Sequence, residues 1–92
     1  MRTEEVSGHT RGQLRELGFK CIEPTPVRLL DGSIATIKAL TYLSARERPS
    51  YTARQKRALK MYSIQVGPQP PVAIDEIHLE ARLGSEAFKR LA

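Results

Sequence analysis

Apolar positions along this chain change their period twice, and each change marks an element. Residues 1–18 are weakly patterned: "GHTRGQLRELG" predicts only a short helix from Thr10, with Leu14 and Leu17 on one face and Gly18 as its stop. From Phe19 the spacing shortens. "FKCIEPTPVRLLDGSIATIKALTYL" reads as a β-hairpin over residues 19–43, turning at Asp31-Gly32, where glycine accepts the positive φ of a tight turn. Pro24 and Pro26 lack ladder donors, so the first strand is predicted to be bent or at an edge. In the second strand Ile34, Thr36, Leu40 and Tyr42 form one face, and Ala35, Ile37, Ala39 and Leu43 the other. Both faces are largely apolar, which predicts cover on two sides, with Lys38 near an opening or an end.

A helical period follows. Ser50 is the predicted cap of a helix over 50–66, with Tyr51, Ala58, Leu59, Tyr62 and Val66 in one stripe and Lys56, Arg57 and Lys60 opposite. "GPQPP" breaks that period, and a helix over 71–83 follows, with Asp75 and Glu76 in its opening turns. Gly84-Ser85 then resets the chain before a short turn, "EAFKRLA". These elements predict an α+β fold in a single small domain, 1–92, without internal repeats.

Charge changes this picture more than composition does. With 40% hydrophobic and 27% charged residues the chain is ordinary for a globular protein, but its net charge of +5 is unevenly placed. Residues 44–60 hold Arg46, Arg48, Arg54, Lys56, Arg57 and Lys60 against Glu47 alone, whereas the flanking segments nearly cancel. Such a segment is either a solvated surface or a polyanion-binding patch. In the second case Arg54, Lys56, Arg57 and Lys60 would contact nucleic-acid phosphates. Tyr51 and Tyr62 point away from this basic face, so base stacking is not expected of it, and "GPQPP" is too long and proline-rich for a helix-turn-helix joint.

Other chemistries find little support. Cys21 is the only cysteine and reads as a buried small hydrophobe in a reducing compartment; His9 and His78 lie far from it, so no metal site is expected. No glycine-rich phosphate loop or cofactor motif is present. No visible signal sequence opens the chain, and its most apolar stretch falls short of the roughly 20 residues of a membrane span, so a cytoplasmic location is expected.

"DGSIATIKALTYLSARERPSYTARQKRALKMYSIQVGPQPPVAIDEI" resembles the C-terminal half of gamma-glutamylcyclotransferase-like proteins. The resemblance rests on Asp31-Gly32, Ala39-Leu40-Thr41-Tyr42, Pro49-Ser50-Tyr51, Gly67 with Pro68 or Pro70, and the helix after Pro71, and covers roughly residues 19–80. It implies part of a small mixed β-barrel with two or three helices packed outside it. It also implies a reaction in which a glutamate deprotonates the α-amine of a γ-glutamyl group, releasing 5-oxoproline without a cofactor. By the same resemblance Glu5 in "EEVSG" is the candidate base, with Glu4 as the alternative. The family's Tyr-Gly-Ser-Asn-type substrate loop has no counterpart here, so the resemblance implies a truncated or non-catalytic member. A half-barrel would expose a sheet edge, and a homo-oligomer or a complementing chain is expected to cover it.

Overall fold

The computed structural model of the chain describes residues 11–40 and 52–91. Glu4, Glu5, His9, Arg46, Arg48, Ser50 and Tyr51 lie outside them. A short helix α1 (Arg11–Glu16) precedes the hairpin of β1 (Thr25–Arg28) and β2 (Ile34–Ala39). Helix α2 (Ala53–Leu59) leads directly into β3 (Met61–Val66), which pairs with β4 (Val72–Asp75). Helices α3 (Glu76–Leu83) and α4 (Ser85–Arg90) follow. The strands form one antiparallel sheet in sequence order, β1-β2-β3-β4, open at both edges.

The hairpin turn follows from its sequence. Gly32 sits at φ 93°, Leu29 and Ser33 close the turn through a 2.8 Å backbone bond, and Asp31 accepts from the Ser33 N–H at 2.8 Å. Leu30 at the tip donates its N–H to the Arg82 carbonyl at 2.9 Å, tying the turn to the end of α3. Among the described residues of this region only β1 and β2 are strands. Phe19 and Cys21 are buried, as their apolar character requires, but they pack as loop residues beneath the sheet.

Period two governs the core. Ala35, Ile37 and Ala39 of β2 and Tyr62 and Ile64 of β3 face one side, and Leu14, Leu79, Leu83 and Phe88 from three helices cover them. Burying Ile37, Ile64 and Leu79 at 1% exposure or less removes roughly 1.5–3 kcal/mol of apolar hydration cost for each side chain. The opposite face is bare. Ile34 is 52% exposed, and Thr36 and Lys38 beside it are exposed too, so β2 is covered on one side and not on both. Its outward positions are too polar to hold a second layer.

The expected helix 50–66 is corrected to α2 followed by β3. Tyr62, Ile64 and Val66 alternate with Ser63 and Gln65, and these aromatic and β-branched side chains suit a strand paired on both edges. The same residues had also satisfied a helical stripe, an ambiguity common to short apolar runs. Thr52, rather than Ser50, caps α2: its hydroxyl accepts from the Gln55 N–H while the Gln55 side chain accepts from the Thr52 N–H. The expected helix 71–83 likewise divides, Val72–Asp75 forming the edge strand β4 before α3 begins. Asp75 caps α3 by accepting from the His78 N–H at 2.8 Å. The sheet does not close, so the expected partial barrel is replaced by an open four-stranded sheet with helices on one face.

Candidate nucleic-acid interface

Several cations gather at one end of the sheet, where β2 ends and β3 begins. Arg57 is the one that turns inward. Its Nε donates to Glu76 Oε1 at 2.6 Å and its Nη2 to Glu80 Oε1 at 2.5 Å. Glu76 is only 4% exposed, and its second oxygen accepts from the Tyr62 hydroxyl at 3.3 Å. The Tyr62 oxygen in turn accepts the Lys20 N–H at 3.0 Å. Every oxygen of this buried carboxylate is engaged.

The titration behaviour follows from these contacts. Hydrogen bonds donated to Glu80 and Glu76 hold the Arg57 guanidinium further above its already high pKa, and the same Arg57 bond holds Glu80 below the ordinary glutamate value. Burial pushes the Tyr62 phenol well up, and the neighbouring Glu76 charge adds to it. Arg57 and Glu80 therefore stay charged at neutral pH, and the Tyr62 phenol keeps its proton. It fastens α2, which buries none of its own residues, to the start of α3. The sequence had placed Arg57 on the exposed basic face with Lys56 and Lys60, and the structure corrects this. The buried partner Glu76 gives no signal in the sequence, because it first faces Arg57 after nineteen residues of chain.

The other cations at this end behave differently. Helix α1 stops at Gly18, at φ 89°, and the Phe19 N–H closes back onto the Leu14 carbonyl at 3.1 Å. Lys60 reaches over that stop, its Nζ 3.5 Å from the Gly18 carbonyl; a β-carbon on Gly18 would lie 2.6 Å from the same nitrogen. Lys20 runs alongside, with its Nζ 5.5 Å from the Phe88 ring centroid. Arg15, Gly18, Phe19, Lys20 and Leu91 line an open groove of about 470 Å³ here. No described carboxylate forms an ion pair with Arg15, Lys20 or Lys60, nor with the exposed Arg54 and Lys56 on α2.

Of the sequence-predicted phosphate contacts, the structure leaves Arg54, Lys56 and Lys60 available and withdraws Arg57. It adds Arg15 and Lys20, which lie some forty residues from Lys60 in the chain and are brought to it by the α1 stop. Elsewhere His78 Nδ1 lies 2.7 Å from Asp75 Oδ1 at the α3 cap. Among the described residues no group of three His, Cys, Asp or Glu side chains is placed to hold a metal ion, and no helix is long and apolar enough to cross a membrane. No protein-family model, curated protein or solved structure matches the chain.

Proposed function

We propose that this chain is a small basic module that binds nucleic acid through its phosphate backbone. What carries the reading is the set of cations at one end of the sheet that no described carboxylate pairs: Arg15, Lys20 and Lys60 around the Gly18 stop, and Arg54 and Lys56 on α2. Phosphate contacts by such side chains release condensed counterions, so affinity should depend on charge and salt and only weakly on base sequence. No described aromatic side chain is placed to stack on bases: Phe19, Tyr62 and Phe88 are buried. A buried free thiol at Cys21 suits a reducing, cytoplasmic setting. The test is fluorescence anisotropy of a short labelled duplex between about 50 and about 200 mM salt. Affinity falling by about tenfold or more across that range, equally for unrelated sequences, is the expected result. Absence of binding at the low-salt end would overturn the reading.

A second reading, a gamma-glutamylcyclotransferase-like chain, rests on the Asp31–Gly32 hairpin, the helix α2 and, after the intervening strand β3, the proline-rich break. Its candidate base, Glu5, and the alternative, Glu4, lie outside the described residues. In that reading a second chain would pair with an open sheet edge and complete the substrate site. Release of 5-oxoproline from γ-glutamyl dipeptides, lost in Glu5→Gln, would support it; no turnover by the folded chain would remove it.

A further inference from the structure

The sheet has a second surface, facing away from the helices and from the Gly18 groove. Outward positions along β1, β2 and β3 include the polar Arg28, Thr36, Lys38, Ser63 and Gln65 beside the exposed Ile34, with Thr36 opposite Gln65 and Lys38 opposite Ser63 in the register. Among the described strand positions the one acid on this side, Asp75, is engaged by the His78 backbone and ring. Burial and the His78 contacts pull its pKa in opposite directions, and the contacts prevail, keeping Asp75 ionised and capping α3. Besides it the face holds two cations, with Ile34 and the hydrogen-bonding Thr36, Ser63 and Gln65 between them.

The occupant follows from charge. A second copy meeting this chain through the same face would set Arg28 and Lys38 against like charges, with Asp75, already engaged at the α3 cap, as the one described carboxylate there. A phosphate backbone is complementary. Arg28 pairs with Ile34, four residues along β2 from Lys38, so their backbone positions are offset by about 13–14 Å along the strand, the axial rise of about four base pairs. The intervening hydroxyl and amide groups can donate to phosphate and sugar oxygens.

We infer that this outer sheet face is a second phosphate-contacting surface, so that one chain bridges two segments of nucleic acid. The inference rests on the proposed nucleic-acid reading, with the Gly18 groove and α2 holding one segment and the sheet face the other. The groove lies on the helix side of the sheet and Arg28 and Lys38 on the other, so the inference assigns the two surfaces to separate duplex segments.

The test uses two short duplexes, one carrying a fluorescence donor and the other an acceptor, mixed with limiting protein at low salt. Energy transfer between the duplexes is expected with the wild-type chain. In the double variant Arg28→Glu/Lys38→Glu it should be lost, while anisotropy shows single-duplex affinity within about threefold of wild type. Both positions are exposed, and circular dichroism verifies the fold; Arg28→Gln/Lys38→Gln, which removes charge without reversing it, should give a partial loss. Single-duplex binding without energy transfer would overturn the inference and leave the first surface standing. Energy transfer that persists in the double variant would also overturn it. So would bridging that polyglutamate suppresses at lower charge equivalents than unlabelled duplex, which would mark the face as a site for acidic polypeptide. No binding of either duplex would remove the underlying reading along with the inference.

Discussion

Arg57 and Lys20 approach the same Phe88 ring, 5.9 Å and 5.5 Å from its centroid, yet they belong to different parts of the molecule's economy of charge. Arg57 is held by two carboxylates, one of them almost wholly buried, and serves to keep α2 on the body of the domain. Among the described residues Lys20 has no carboxylate partner, and neither do Lys60 and Arg15 beside it. A count of basic residues cannot separate these roles. The presence or absence of an acidic partner does: paired cations stabilise the fold, and unpaired ones are available to a ligand.

That contrast can be broken from the Arg57 side first. Arg57→Met leaves Glu76 buried without its counter-charge and releases α2, and chemical denaturation should show a loss of about 2–4 kcal/mol. Smaller, but in the same network, is Tyr62→Phe. It removes the acceptor of the Lys20 N–H and the donor to Glu76 while keeping the ring in place, and about 1–2 kcal/mol should be lost. Thr52→Ala breaks the capping box of α2 at an exposed site and should cost about 1 kcal/mol in the same assay.

The pH dependence sharpens the comparison further. Arg57 lowers the folded-state pKa of Glu80, and the cap contacts do the same for Asp75. A depressed carboxylate contributes stability that is fully present above its unfolded pKa, roughly 3.9 for Asp and 4.3 for Glu, and is lost as pH falls through the folded value. Thermal melts should therefore be flat from neutrality to about pH 5 and decline below it. In Arg57→Met the Glu80 share of that decline should disappear. The smallest stability change belongs to the unpaired set: Lys20→Gln, Lys60→Gln and Arg54→Gln should each stay within about 0.5 kcal/mol of wild type.

Much of the fold was legible in the sequence, for identifiable reasons. Asp31-Gly32 announced the hairpin because few other residue pairs accept that turn, and Gly18 and Gly84 marked helix ends that the structure places at positive φ. Residues 60–66 were misread because Ala58, Leu59, Tyr62 and Val66 fit one side of a helix, while Tyr62, Ile64 and Val66 fit one face of a strand equally well. Only pairing with β2 and β4 decides between them. The candidate site was half visible. The basic run at 54–60 could be counted, but neither the capture of Arg57 by Glu76 nor the arrival of Arg15 and Lys20 beside Lys60 could be, since both depend on tertiary packing.

The most direct test of the distinction between paired and unpaired charge is the salt dependence of duplex binding by the wild-type chain and by Lys20→Gln/Lys60→Gln. Loss of two phosphate contacts should weaken binding by about tenfold or more at low salt and reduce the slope of log affinity against log salt by about 2. Equal affinity and parallel slopes for the two proteins would contradict the account, because the cations that the fold leaves unpartnered would then not be the ones that meet the ligand.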